Sequence, residues 1–395
     1  MKIQVLREVT LPNPVRLALY KKSPELGPRL AFFSGGSALR GLSRELTAYT
    51  HNSLHIMTAF DSGGSSAELR NAFHMPSIGD IRARLIDLAD QTVQGNPEIY
   101  TLFSHRLSGH STRQELSEEL TMMARGRHRL VDAVPDPMRK IIRHHLRIFL
   151  ENMPESFRLQ GASIGNLILA AGYLDNRRHL DPVIFIFSKL VEVRGLVRPV
   201  VNNFLHLAAD LANGERIVGQ HLLTGKEALP LREKIVRLYL TDRKDGSTEV
   251  RPKIRNKLHS LIATAELICF PMGSFYSSLI ATLMPEGVAA AIAGNVCPKI
   301  YIPSMGNDPE TYGMNLMEQI DVLLLQLKKD FPHTPVHHFL NCVLVDRKNG
   351  EYEGGIDRRQ LMEMGIQLID CPLVSPESAP HCDPRLLAPL LLSLA

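Results

Sequence analysis

Asp61-Ser-Gly-Gly-Ser-Ser66 sets one carboxylate, two glycines and three hydroxyls directly behind an apolar, β-capable run, 53–60 (SLHIMTAF). A strand that stops at an aspartate and opens into Gly63, Gly64 and Ser65 exposes backbone N–H groups beside a negative charge. Glycine lets a phosphate approach such amides closely, and the carboxylate can hold a divalent cation that the phosphate shares. The plainer role for Asp61 is to cap the short helical stretch that follows.

Three more loops have the same make-up. Gly35-Gly36-Ser37 follows the apolar run 30–34, and Gly161-Ala-Ser-Ile-Gly-Asn166 opens the helix NLILAAGYL. Pro271-Met-Gly273-Ser274-Phe275 follows the run 266–270. Each alone is an ordinary tight turn; together they point to a phosphate-binding crevice. Asp80, in Pro76-Ser-Ile-Gly-Asp80, either caps the helix IRARLIDLAD or serves as a second reactive carboxylate, and Asn166 is open to the same two roles. No GK[ST] ending and no GxGxxG with a downstream acid occurs, which argues against a P-loop and a dinucleotide fingerprint. RHHLR (143–147) reads as a solvated basic face, and in His381-Cys-Asp383 the aspartate reads as a cap.

These loops need a scaffold that brings them together. Strand, glycine loop and helix alternate along the chain, which predicts an α/β fold: a Rossmann-like, mostly parallel sheet with helices on both faces. Ligands of such sheets sit outside the carboxyl ends of the strands. Residues 1–28, rich in proline, read as an N-terminal extension, and 29–395 as one α/β domain in which 97–153 is a helical insertion or cap. The run 205–224 reads as a hairpin around Asn213-Gly214.

Composition narrows the partners. A chain of 395 residues with 44% apolar and 22% charged content is ordinary for a globular protein. Its net charge of +4 suits a small anionic ligand and predicts neither nucleic-acid nor membrane binding. Five cysteines without CxxC spacing argue against a disulfide framework. With no signal-like segment and no apolar run of membrane-spanning length, a cytoplasmic location is expected.

In order and combination, GGSALRGLSREL, DSGGSSAELR, PSIGDIRARLIDLAD, GASIGNLILAA, PMGSFYSSLIATLMPEGVAAAI and GNDPET resemble the successive motifs of the CofD-like family. That family includes 2-phospho-L-lactate transferases and gluconeogenesis-factor proteins, and DSGGSS and GDIR are closer to the second branch. The resemblance implies a nucleotide-diphosphate ligand at the strand ends. It places Gly35, Gly36 and Ser37 in the first phosphate loop, with Gly63, Gly64 and Ser65 in the second. Asp61 is the strand-end aspartate and a magnesium ligand, and Asp80 the turn aspartate; both are candidate catalytic residues. Asn166 is the asparagine of SIGN, and Gly273 and Ser274 form the late glycine–serine pair.

Two chemistries follow from the resemblance. In one, a phosphorylated organic-acid group of the 2-phospholactate type moves from a nucleoside diphosphate donor to a small hydroxyl acceptor. Backbone N–H groups at 35–37 and 273–274 then hold the diphosphate. In the other, the same pocket binds a nucleotide sugar without turnover and acts in regulation. A homodimer is a habit of the family. The chain departs from the family's pattern at Ser62, where a second aspartate is usual, and at Met272, which interrupts a proline–glycine–serine.

Overall fold

The computed structural model describes residues 8–92, 95–225, 229–306 and 308–395. Residues 1–7 of the N-terminal extension and Asn307 of GNDPET lie outside the described residues. Among the described residues there are ten strands: β1 (Leu30–Ser34), β2 (Leu54–Met57), β3 (Leu196–Pro199), β4 (His206–Leu211), β5 (Arg216–Val218), β6 (Ile235–Thr241), β7 (Leu267–Phe270), β8 (Lys299–Tyr301), β9 (Cys342–Val345) and β10 (Gln367–Asp370). Seven form one parallel sheet in the order β10-β9-β8-β7-β1-β2-β3. The chain runs outward from β1 through β2 to β3, then returns to β7 and runs outward the other way. The strand order therefore reverses between β1 and β7, where open α/β sheets bind ligands.

Period-2 alternation explains why both faces are covered. Ala31, Phe33, Ile56, Ile268, Phe270, Val343 and Val345 point to one face and pack on helices Asn256–Ala263, Val288–Ala293 and Leu316–Lys328. Leu30, Phe32, Leu267, Cys269, Ile300 and Leu344 point to the other and meet helices Arg40–Leu46 and Pro384–Leu394. Each fully buried large apolar side chain contributes about 1.5–3 kcal/mol. The parallel α/β architecture with helices on both faces is the expected one.

The Asn213-Gly214 hairpin is present as β4 and β5, with Gly214 at φ 85°. It carries a third antiparallel strand, β6, that was not foreseen. This meander buries Leu207, Ala209 and Leu211 in the same core as Phe33 and Ile56. The strands β3 and β10 were missed as well. Both are short edge strands, and β3 ends in Pro199, whose ring suits an edge position.

Between 97 and 153 lie helices Pro97–Ser104, Arg113–Arg125, Arg129–Asp132 and Met138–Asn152. The last turns Ile142, His145, Leu146 and Phe149 inward and leaves Lys140, His144 and Arg147 exposed, so the basic face expected at 143–147 holds only in part. Helices Pro97–Ser104 and Met138–Asn152 pack on Ile164–Asp175, which is buried from Ile164 to Tyr173, and the other two pack on Met138–Asn152. Helices Gly79–Asp87 and Leu180–Leu190 lie against β2 and β3. Helix Pro14–Lys22 rests on the C-terminal helix: the Asn13 N–H donates to Ser393 Oγ (2.8 Å) and Arg16 Nη1 to the Ala395 carbonyl (2.7 Å). Among the described residues no helix is long and apolar enough to cross a membrane.

Candidate functional site

At the β1/β7 reversal lies a cavity of about 130 Å³, lined by residues 33–38, Asp61, Gly63, Asp80 and 271–274, with Gln220, His221 and Thr224 from beyond β5. Three strand ends and the meander thus converge on one point.

The loop after β1 is shaped from behind by Arg84. This guanidinium is fully buried, and its Nη2 donates to the carbonyls of Gly35 (3.1 Å) and Gly36 (3.0 Å), while Nη1 donates to Ser43 Oγ. Across a trans peptide the N–H points opposite to the C=O. Drawing the two carbonyls toward Arg84 therefore turns the Gly36 and Ser37 amides the other way. Burial lowers the Arg84 pKa to about 10, so it stays charged at neutral pH, with Asp87 partly offsetting the loss of water. Asp80 sits one helical turn before Arg84 and lies against the loop. A Cβ added to Gly36 would stand 2.2 Å from Asp80 Oδ1, so only glycine fits there. Asp80 does not cap its helix: Ile78 holds the N-cap position and Asp80 belongs to the first turn.

The loop after β2 is tied down by its own carboxylate. Asp61 Oδ1 accepts the Gly63 N–H (3.1 Å), which fixes the entry to helix Gly64–Phe73. Gly79 packs between Ser66 and Asp61; an added Cβ would lie 2.4 Å from Ser66 Oγ and 3.6 Å from Asp61 Oδ2. Asp61 therefore stands at the root of the helix that carries Asp80. Arg70, 2% exposed, donates to the carbonyls of Ala59 (2.9 Å) and Leu205 (2.6 Å) and lies over the Phe204 ring. It locks the end of β2 to the start of the meander. Burial pulls its pKa down to about 10, and Asp61 is its electrostatic counterweight.

Gly63 lines the cavity, whereas Gly64 and Ser65 line a separate one with Phe157, Gly161 and Ser163. Asn166, 1% exposed, donates from Nδ2 to Ser65 Oγ (3.2 Å) and supports the Asp61 loop from behind. It is not a cap; Ser163 is the N-cap residue.

The late loop differs. Gly273 (φ 135°) donates its N–H to Ser304 Oγ (3.2 Å), so this amide is engaged within the protein. The following amides, at the mouth of the π-helix Phe275–Ile280, are met by carboxylates. Phe275 N–H donates to Asp308 Oδ2 (2.8 Å), and those of Tyr276 and Ser277 donate to Glu310 Oε2 (2.8 and 2.7 Å). The Ser277 hydroxyl donates to Glu310 Oε1. Burial, reinforced by Asp308, pushes the Glu310 pKa up.

A larger cavity of about 460 Å³ adjoins the first through Pro271, Met272, Gly273 and Leu279, and continues past Tyr301, Gln319 and Tyr352. Among its described residues the first cavity is lined by no lysine or arginine; Asp61 and Asp80 are its acids and His221 its one basic side chain. No group of three or more metal-binding side chains forms a closed cluster among the described residues. The two carboxylates are hard oxygen donors, the kind magnesium takes one or two of while sharing the rest with substrate phosphates. The cysteines are free, as their spacing suggested.

Sequence reasoning missed Arg84, Arg70, His221 and the Asp308–Glu310 pair. The spacing Asp80-x-x-x-Arg84 was the one local signal, since it sets both charges on one helical face.

The fold recurs in a solved structure, and the sequence is similar to known proteins. A solved crystal structure of a UPF0052-family protein from Bacillus halodurans superposes with a TM-score of 0.67 at 21% identity, over 92% of this chain and 99% of that one. The gluconeogenesis factor of Bacillus subtilis is 25% identical over 355 residues, 88% of this chain and 92% of its own length. That of Listeria monocytogenes is 25% identical over 71% of this chain and 68% of its own. A longer relative from Nostoc sp. is 28% identical over 80% of this chain, which spans 56% of the relative's length. Residues 30–374, which include every loop around the cavity, match the family model described as 2-phospho-L-lactate transferase CofD, and the chain belongs to that family.

Proposed function

We propose that the cavity between β1 and β7 binds the diphosphate of a nucleotide. We further propose that the chain moves a phosphorylated organic-acid group, of the 2-phospholactate type, from a nucleoside diphosphate donor to a hydroxyl acceptor. One observation carries this: two carboxylates line a cavity with a glycine loop whose carbonyls are pulled back by a buried arginine. Such a site suits a diphosphate that arrives with a divalent cation. Asp61 and Asp80 would hold magnesium together with the phosphate oxygens, and the ion would neutralise charge on the diphosphate.

The chain's own groups supply positioning. The Gly36 and Ser37 amides orient the diphosphate, and the adjoining cavity takes the rest of the donor. The acceptor oxygen bonds to phosphorus as the bond from phosphorus to the nucleoside monophosphate oxygen breaks in line. The hydroxyl proton passes to the Asp80 carboxylate. Chemistry of this kind rests on orientation and charge neutralisation, so no covalent nucleophile is required.

A second reading, a nucleotide-sugar-binding regulator without turnover, is favoured by the relatives named gluconeogenesis factor and by Ser62. A thermal-shift screen of guanine and uracil nucleotides and their sugars, with and without magnesium, tests the shared claim; no shift with any of them would sink it. Asp61→Asn separates the two. A transferase keeps nucleotide binding and loses turnover, whereas a regulator has no turnover to lose.

A further inference from the structure

We infer that His221 is a phosphate-contacting residue of this cavity and that Ser62 is the positioning residue that fixes its imidazole. The inference rests on the diphosphate reading above and assigns the groups that meet the ligand from the meander side.

His221 Nδ1 lies 2.8 Å from Ser62 Oγ, and the His221 backbone N–H also donates to that oxygen (3.3 Å). A hydroxyl has one proton to give and two lone pairs to receive. Ser62 Oγ is an acceptor toward the backbone N–H, and the described residues offer its proton no acceptor other than Nδ1. The arrangement that uses every donor runs backbone N–H to Oγ and Oγ–H to Nδ1. In a neutral imidazole this leaves the ring proton on Nε2. The tautomer follows from the hydrogen-bond network.

The ring is also held sterically. Gly219 has φ 119°, a conformation side chains rarely adopt, and a Cβ built there would lie 2.8 Å from His221 Cε1 and 3.0 Å from Nδ1. Glycine at 219 therefore lets the backbone close on the Nδ1–Cε1 edge. With that edge occupied by Gly219 and Ser62, the Nε2–Cδ2 edge is left for the cavity that His221 lines. The same cavity is lined by Asp61, Asp80 and the first glycine loop, and His221 is the one basic side chain among the described lining residues. An anionic ligand seated beside two carboxylates is helped by a hydrogen-bond donor in the same cavity. A fixed Nε2–H supplies it, and a hydrogen bond to a charged oxygen is stronger than one between neutral groups. The Ser62–His221 bond also joins residues 159 apart in sequence, so ligand contact and meander position are linked.

The test is calorimetric titration of uridine diphosphate, guanosine diphosphate and inorganic pyrophosphate into wild type, His221→Ala, His221→Gln and Ser62→Ala, with magnesium present. His221→Ala is expected to weaken the diphosphates by about tenfold or more. His221→Gln, which keeps an N–H donor, recovers part of the loss, and Ser62→Ala falls between. Circular dichroism melts confirm that the variants fold. Imidazole ¹⁵N shifts are expected to report the Nε2–H form in wild type and a mixture in Ser62→Ala. Wild-type affinity in a folded His221→Ala, or an Nδ1–H form in wild type, overturns this inference alone. Absence of binding to wild type overturns the diphosphate reading together with it.

Discussion

The loops after β1 and β7 share a composition, flank the same reversal in strand order and are held by the protein in opposite ways. Behind the first stands a buried cation: Arg84 takes the Gly35 and Gly36 carbonyls and turns the next amides away from itself. In front of the second stand carboxyl groups: half-buried Asp308 and buried Glu310 take the amides of residues 275–277. The first loop is left prepared for a negative ligand, whereas the amides at the helix mouth of the second are already taken by carboxyl groups. A glycine–serine turn after a strand therefore does not identify a phosphate site. Which groups already engage the turn's own carbonyls and amides decides it.

The largest effect is expected where that difference is made. Arg84→Met removes the partner of two buried carbonyls and of Ser43 and leaves Asp87, 3% exposed, with only the half-exposed Arg40 and Arg44. Breaking a buried charge network by one partner costs about 3–5 kcal/mol. Urea denaturation should show a loss of that size, and a loss below about 1 kcal/mol would mean that Arg84 does not shape the loop.

Gly36→Ala comes next. Its Cβ would collide with Asp80, and overpacking of this kind costs about 1–3 kcal/mol. Because the strain falls on the loop, we expect nucleoside diphosphate affinity to drop about 100-fold. The matching change across the cavity, Ser274→Ala, should cost less than about threefold. Equal losses would erase the distinction between the two loops.

Glu310 gives the comparison a pH signature. Its folded pKa is raised above the ordinary value of 4.5. Well below that value both states are protonated. As pH rises past it the unfolded chain ionises first, so stability falls until the folded group ionises as well. Denaturation midpoints of wild type should therefore decline from about pH 4.5 upward relative to Glu310→Gln; parallel pH profiles would contradict the assigned direction.

The smallest effect lies outside the site. Asp383 caps the C-terminal helix through the Arg385 N–H (2.9 Å), and its hydrogen bonds with Arg385 hold its pKa down to about 2. Asp383→Ala should cost about 1 kcal/mol without changing ligand affinity. Because the pKa is depressed, that contribution is complete above about pH 4 and fades as pH falls toward 2.

Much of this was legible in the chain. The strand–loop–helix rhythm gave the parallel sheet, and Gly35, Gly36, Ser37, Asp61, Gly63, Asp80, Gly273 and Ser274 do line one cavity. Local composition did not tell which side of a helix start faces that cavity. Gly64 and Ser65 lie one and two residues beyond Gly63 and line another cavity, and Asn166 braces the loop from behind. The capping role left open for Asp80 fails because the helix starts earlier: it opens at Gly79, and Ile78 holds the N-cap position. The residues that set the electrostatics were hidden for one reason: their partners are distant. Arg84 acts on residues about 48 positions earlier, Glu310 on residues about 33 earlier, and His221 on Ser62. Only the fold brings them together.

The most direct test is amide ¹H–¹⁵N spectroscopy of the protein labelled at glycine, serine, phenylalanine and tyrosine, titrated with a nucleoside diphosphate and magnesium. The account predicts large shifts of the Gly36 and Ser37 amides and small ones for Phe275, Tyr276 and Ser277. Large shifts at 275–277 with Gly36 and Ser37 unmoved would contradict it.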